Sequence, residues 1–276
     1  MHLKRLICLL ALCAALVAVL LPPAVAAGSS PTLAIDGEPY RAESGVLLLN
    51  GVSYVSFRDF SLAIGPGEIT WDPASKTAAY QAGGRTLSVT QGDVVLRAGG
   101  RCFYLAGGAQ IINGRLMVPV RELSKALGAT VSWNGQTSHI AIQRGDPPAS
   151  GEDFYNAEDL KWLSRIIYAE SQGQPFTGQV AVGNVILNRV KSSDYPNTIY
   201  GVIFDNTYGV QFTPVASGAI YAAPDQTSVE AAKICLEGYT VTARSIYFLN
   251  PRKAQNLWVP QNRPFVMRIG EHDFYA

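Results

Sequence analysis

Two stretches of the chain carry the same pattern, and this repeat constrains the fold more than any other feature. Asn50-Gly51-Val52-Ser53-Tyr54-Val55-Ser56-Phe57-Arg58-Asp59-Phe60 lines up with Asn113-Gly114-Arg115-Leu116-Met117-Val118-Pro119-Val120-Arg121-Glu122-Leu123. Further on, Ile69-Thr70-Trp71-Asp72 matches Val131-Ser132-Trp133-Asn134, with a one-residue length difference between the copies. A unit written twice is a supersecondary unit: here turn, strand, helix, then a strand ending in Trp. In the second copy the helix is expected over Arg121 to Leu127, stopped by Gly128, with Leu123 and Leu127 facing a core. Short strands are expected at Val46–Leu49, Val52–Phe57, Thr77–Tyr80, Thr86–Thr90 and Val94–Leu96, broken by Gly, Asn and Asp. The third is the weakest, since Ala78 and Ala79 favour strands little. Trp71 and Trp133 are expected to be buried caps on the two units.

Gly145-Asp146-Pro147-Pro148-Ala149-Ser150-Gly151 has the composition of an exposed linker and separates this β-rich part from a region of different character. At the other end, Lys4 and Arg5 precede an apolar run from Leu6 to Leu21, closed by Pro22-Pro23 and the small residues Ala24-Val25-Ala26. That is the layout of a secretory signal peptide, cleaved after Ala26 or Ala27; the run is short of the ~20 residues a spanning helix needs. The expected organisation is therefore 1–27 signal peptide, 31–144 repeated module, 145–155 linker and 156–276 C-terminal domain. After cleavage only Cys102 and Cys235 remain, expected as buried thiols. Charge is nearly balanced, with 22 Lys and Arg against 21 Asp and Glu. No basic face follows from this, which argues against nucleic acid or an anionic membrane surface as partner.

Asn113-Gly114, Val118-Pro119-Val120-Arg121, Leu127-Gly128-Ala129 and Val131-Ser132-Trp133 resemble the copper amine oxidase N-terminal-like domain, a module common in exported proteins of Gram-positive bacteria. Despite the name, copper is not implied: His139 is the only histidine in this part, and with Cys102 alone it makes no imidazole–thiolate site. The module reads as a wall-facing element or a spacer.

The C-terminal segment opens with a helix capped by Asn156, with Glu158 and Asp159 in its first turn and Leu160, Leu163, Ile166 and Ile167 at helical spacing. It ends in Tyr168-Ala169-Glu170, broken by Ser171-Gln172-Gly173-Gln174-Pro175. A second helix, about Thr177 to Arg189, is apolar on most of its circumference and so expected at the centre of the domain, where Asn184, Asn188 and Arg189 need partners. Glu170 stands where an apolar face meets a Gly-Pro break. A carboxyl half in an apolar wall and half in a cleft has a raised pKa and stays protonated near neutrality, able to donate to a glycosidic oxygen. From the residues alone, a solvated loop glutamate is the commoner case. Asp194, Asp205, Asp225 and Asp273 lie in loop-like stretches, expected as solvated acids. Trp162 reads as a packing residue.

Ile167-Tyr168-Ala169-Glu170-Ser171-Gln172-Gly173-Gln174-Pro175, then Gly178-Gln179-Val180-Ala181-Val182 and Val185-Ile186-Leu187-Asn188-Arg189-Val190, closely resemble the cell wall hydrolase family of the spore cortex-lytic enzyme SleB. The likeness continues through Tyr195-Pro196-Asn197-Thr198-Ile199, Gln211-Phe212-Thr213-Pro214-Val215, Tyr247-Phe248-Leu249-Asn250-Pro251 and Ile269-Gly270-Glu271-His272-Asp273-Phe274-Tyr275. It implies an α+β, lysozyme-like domain related to goose-type lysozymes and lytic transglycosylases, with Glu170 as catalytic acid and base on peptidoglycan glycan strands. Gln211 and Asn250 are the candidates for binding sugar acetamido or hydroxyl groups, and Phe212, Tyr247 and Trp258 for stacking on rings. His272 is either at the site or structural. No cofactor and no metal are implied, a monomer is expected, and the location is outside the cell, at the wall or spore cortex. Cortex-lytic members usually carry a different binding module in front, so a germination role is the less secure part of the likeness. Two other readings stay open: a non-catalytic peptidoglycan-binding protein, and an N-acetylmuramoyl-L-alanine amidase, for which zinc would need about three protein ligands.

Overall fold

The computed structural model describes residues 31–276 apart from 84 and 208; the signal peptide expected over 1–27 lies outside the described residues. The first half runs β1 (Thr32–Ile35), β2 (Glu38–Pro39), β3 (Leu47–Leu49), β4 (Val52–Ser56), α1 (Phe57–Ile64), β5 (Glu68–Asp72), β6 (Thr77–Ala82), β7 (Arg85–Thr90), β8 (Val95–Ala98) and β9 (Arg101–Tyr104). It continues with β10 (Gln110–Ile112), β11 (Arg115–Pro119), α2 (Val120–Ala126), β12 (Thr130–Asn134) and β13 (His139–Gln143). The second half has α3 (Gly151–Phe154), α4 (Ala157–Ser171), α5 (Phe176–Lys191), α6 (Ile199–Phe204), α7 (Thr213–Ser217) and α8 (Gln226–Leu236). It closes with β14 (Tyr247–Leu249), α9 (Trp258–Asn262), β15 (Phe265–Ile269) and β16 (His272–Tyr275), and the fold class is α+β.

The repeat has a direct geometric outcome. Asn50-Gly51 and Asn113-Gly114 have positive φ at both residues, so each closes a two-residue hairpin of the kind whose twist suits flanking strands. The hairpins meet along β4 and β11, pairing Tyr54 with Pro119, Val55 with Val118 and Ser56 with Met117. Val55 and Val118 are equivalent in the two copies, so the unit pairs with itself about a local two-fold through that contact. The four strands are ordered β10-β11-β4-β3. Ser56 caps α1 by accepting from the Asp59 amide; its counterpart Pro119 has no such oxygen, and α2 starts without a side-chain cap.

The two tryptophans are not caps. Trp71 is 45% exposed and Trp133 48% exposed. They sit on β5 and β12, each the edge strand of its sheet, and both strands are exposed at four of five residues in the same pattern. An edge strand has a neighbour on one side only, and these two project beyond the core.

In the second half the Asn156 carboxamide accepts from the Glu158 and Asp159 amides, and Glu158 also takes the Trp162 indole N–H at 3.0 Å. Trp162, Leu163, Ile166 and Ile167 then bury one face of α4. Helix α5 is enclosed from Gly178 to Ile186. Gly183 lets α4, α5 and α8 pack close together, since a Cβ there would lie 2.6 Å from Cys235 Sγ and 2.9 Å from Ile167 Cδ1. Cys102 and Cys235 are buried free thiols. The enclosed polar groups of α5 organise the chain beyond it. Asn184 accepts from the Val241 amide at 2.7 Å and donates to Tyr239 O at 3.0 Å, and Asn188 donates to Thr242 O and Ser245 O at 2.9 Å. These bonds pin the run into β14, and β14-β16-β15 forms a small sheet beside the end of α4.

Residues 145–147 are exposed, while Gly151 is buried and its amide donates to Gly99 O at 2.7 Å. The two halves share more than this crossing. Val95 and Cys102 of the β8–β9 hairpin belong to the apolar cluster of the second half, with Val94 and Tyr104 packed on it. Arg97 makes a bidentate pair with Glu230 at 2.7 and 2.8 Å, and Arg101 a bidentate pair with Glu237 at 2.7 and 2.6 Å. No helix among the described residues is long and apolar enough to cross a membrane.

Candidate active site

Glu170 lies in the last turn of α4, one residue before its end at Ser171. The helix stops there because Gln172 turns to extended backbone and Pro175 opens the next helix. The side chain is half-buried and, among the described residues, makes no hydrogen bond or ion pair. Burial alone raises its pKa from 4.5 to about 7.

Glu170 borders a cleft of about 620 Å³, between the end of α4, the start of α7, β14 and the β15–β16 turn. Of the residues expected at the site, Gln211, Phe212 and Asn250 line this cleft with Glu170. Gln211 is exposed and its amide donates to Gly209 O at 3.0 Å. Asn250 donates to Glu271 Oε2 at 2.9 Å. Phe212 is only 3% exposed and its ring lies against Phe248, so it forms wall rather than open platform. Tyr247 and Trp258 do not line the cleft. Tyr247 lies instead beside Trp258, 6.5 Å between ring centroids, with the Arg263 guanidinium near both.

The cleft also holds Glu271 and Lys253, which the sequence did not single out, together with Arg189, expected to need a partner, and His272, left open between site and structure. Glu271 brings a second carboxyl, held by Asn250 and by Lys253 at 3.7 Å. Arg189 is buried and donates from Nε to Ile246 O at 2.7 Å, yet has no carboxylate partner among the described residues. Its guanidinium is ringed by Tyr195, Phe212 and Tyr247 at 5.0 to 5.5 Å. His272 is buried, burial lowers its pKa, and its Nδ1 is without a partner, as is Arg189 Nη1. The imidazole is therefore neutral near pH 7. Asp273, expected as a solvated loop acid, is instead buried in β16 and takes a bond from Arg268 Nη2 at 2.7 Å, which holds its carboxyl below the usual range. The β-hairpin partner Arg268 lies across the ladder and was invisible without the register.

The turn that presents Glu271 is locked to the break after Glu170. The Glu271 amide donates to Gln174 Oε1 at 2.9 Å. Gly270 has φ +58°, and a Cβ there would collide with Gln174 Oε1 and lie 2.7 Å from Pro175 Cδ. Gly270→Ala is expected to cost about 1–2 kcal/mol, from a left-handed backbone and a lost contact. Urea unfolding measures this, and an unchanged midpoint would remove the lock from the account.

A relative from Oceanobacillus iheyensis, the cell wall hydrolase CwlJ, is 30% identical over 129 residues, covering 89% of that protein and 44% of this chain. The chain belongs to the cell wall hydrolase family. The family profile described as Cell Wall Hydrolase matches residues 173–275 of this family member, beginning just after Glu170. Residues 34–142 match the profile described as Copper amine oxidase N-terminal domain. A spore cortex-lytic enzyme of Bacillus cereus is 36% identical to this chain over 156 residues, 55% of this chain and 59% of that one. The chain thus spans 59% of the length of that curated relative. Among solved structures, the catalytic domain of the germination-specific lytic transglycosylase SleB from Bacillus anthracis is 40% identical. That match covers 44% of this chain and 97% of the other, with a TM-score of 0.41.

Proposed function

We propose that this protein cleaves the glycan strands of peptidoglycan, with Glu170 as a single acid and base. The observation that carries the reading is an unpaired carboxyl at the end of a helix, raised to about pKa 7 by burial on a cleft wall. Such a group is protonated in a useful fraction near neutrality and returns as a base of matching strength. The names of the relatives, spore cortex-lytic enzyme and lytic transglycosylase, support the same chemistry.

In the proposed step the Glu170 proton goes to the bridging oxygen and the bond from C1 of muramic acid to that oxygen breaks. The sugar becomes oxocarbenium-like, and Glu170 is left as carboxylate. It then takes the proton of the sugar's own 6-hydroxyl as that oxygen bonds to C1, closing a 1,6-anhydro ring. No second carboxyl is needed on this route, unlike most glycosidases. Gln211 and Asn250 are the proposed partners of sugar polar groups, Phe212 shapes the wall, and Tyr247 and Trp258 form a patch for a more distant sugar. Glu271 favours a second reading, in which it activates a water and the product is hydrolytic.

Residues 156–276 are proposed as the lysozyme-like catalytic domain, joined by 145–155 to a module at 31–144 that faces the wall. The apolar run at 6–21 supports export, and a cleft complete within one chain supports action as a monomer.

The test is mass spectrometry of muropeptides released from sacculi and from cortex fragments by the protein and by Glu170→Gln and Glu271→Gln. Anhydro ends lost only with Glu170→Gln are the expected result. Reducing-end muramic acid lost with either variant selects the hydrolase. Peptide release without glycan scission points to an amidase, although no group of three His, Cys, Asp or Glu suited to a metal occurs among the described residues. Binding to sacculi with no product from any form would leave a wall-binding protein.

A further inference from the structure

The two exposed tryptophans call for an explanation that packing does not give. In the eleven-residue stretches that align, the copies keep only Asn, Gly, Val and Arg in common, yet Trp71 and Trp133 occupy equivalent positions. Both have nearly half their surface in water. Each copy also exposes an aliphatic residue two places before its Asn-Gly turn, Leu48 and Ile111. A large apolar side chain kept twice at the same exposed point serves neither core nor solubility.

The surroundings of Trp71 are shaped for a ligand. The indole divides two adjoining hollows, one of about 430 Å³ and one of about 180 Å³, and both share Gly114 and Leu116 of the second copy as floor. The turn at Gly114 leaves open space where a side chain would stand. Lys76 and Gln91 edge the larger hollow and Arg58 edges the smaller. Lys76 and Arg58 are exposed and without an ion-pair partner among the described residues. Asp59 is occupied with Arg115, and Asp72 with the Ala74 and Ser75 amides.

We propose that this trough on the repeated module is a second glycan-binding site, with Trp71 as the platform for a sugar ring. A flat indole presents its face to the C–H face of a pyranose, while a polar rim meets the hydroxyl and acetamido groups. Two hollows flanking one ring suit successive sugars of a chain better than one small molecule. The cations on either side complement the stem-peptide carboxylates that line a peptidoglycan strand. The two hollows beside Trp71 do not reach Trp133, its counterpart in the other copy, which is a weaker auxiliary contact. The choice of polymer rests on the glycan reading of the Glu170 cleft; the site itself does not.

The experiment uses the full chain carrying Glu170→Gln, so that the wall is not consumed, in co-sedimentation with sacculi and with glycan strands stripped of peptide. Trp71→Ala is expected to weaken binding to both about ten-fold, in line with the loss of one aromatic contact. Trp133→Ala should weaken it less, and the double variant more than either. In the Glu170 background, Trp71→Ala should leave turnover of short soluble fragments unchanged. Unaltered binding by the double variant overturns the proposal. So does binding that vanishes when peptide is removed, which would make the ligand peptide, or a Trp71-dependent shift in sedimentation coefficient without ligand, which would make the trough a self-association face. If Glu170→Gln retained turnover, the catalytic assignment would fail while the effect of Trp71→Ala on binding would still be read.

Discussion

Above a pH of about 7, Glu170→Gln is expected to melt later than the wild type while losing roughly a thousand-fold in turnover. Both effects have one origin. The carboxyl has its ordinary value of 4.5 in the unfolded chain and about 7 in the folded one, and desolvation is the cause. Between those values the folded state holds a proton that the unfolded state has released, so stability falls as pH rises through this window and levels off above it. Glutamine carries no charge at any pH and escapes the loss. Its advantage should be absent below about pH 4.5 and grow to something on the order of 3 kcal/mol above about pH 7, a shift of roughly 8 °C. The first catalytic step needs the protonated acid, so the wild-type rate should fall as pH rises through about 7. Melting curves of both proteins from acid to mildly alkaline buffer decide this. A difference that does not vary with pH would mean that the carboxyl is solvated, and the acid–base role would lose its physical basis.

Glu237→Ala is expected to be the most damaging substitution away from the cleft, at about 3–5 kcal/mol. Glu237 receives both guanidinium bonds from Arg101 and a third from the Tyr155 hydroxyl at 2.7 Å. The Arg101 and Glu237 side chains are 13% and 8% exposed. Removing the acid leaves a largely enclosed guanidinium and phenol without their shared carboxylate, and the penalty is that desolvation rather than the value of the pair. The double variant Arg101→Met/Glu237→Met should accordingly be far milder than Glu237→Ala. Urea titration measures both, and a midpoint for Glu237→Ala within experimental error of the wild type would mean that the pair is solvated. Because Arg101 is on β9 and Glu237 ends α8, the same titration should follow one transition for both halves.

What could be read from the sequence was local. Asn-Gly turns, the Asn156 cap and the apolar spacing of α4 and α5 depend on neighbours within a few residues, and they appear at or within a residue or two of the expected places. The place of Glu170 at the end of an apolar helix could be read from the Gly-Pro break, while its proposed role came from the family resemblance and not from the residues alone. Trp71 and Trp133 misled because an aromatic closing a strand looks the same whether the strand is central or at an edge, and sheet order is a long-range property. Asp273 looked like a loop acid until the register set Arg268 opposite it. Glu271 reaches the cleft on a turn that is tied to Gln174, a contact across nearly a hundred residues. Nothing near Arg189 in the chain foretells three rings gathered round its guanidinium.

The β8–β9 hairpin bears on how such a protein can be rebuilt. Its Val95 and Cys102 side chains lie in the apolar cluster of the C-terminal half, and Arg97 and Arg101 neutralise two glutamates of α8 and its end. Exchanging the front module at the exposed 145–147 crossing would therefore strip the C-terminal half of four interlocking side chains and leave Glu230 and Glu237 facing an unfamiliar surface. A workable chimera has to carry the hairpin with it, or redesign the α8 face, because the seam of this protein lies in its packing and not at the stretch where the chain passes from one half to the other.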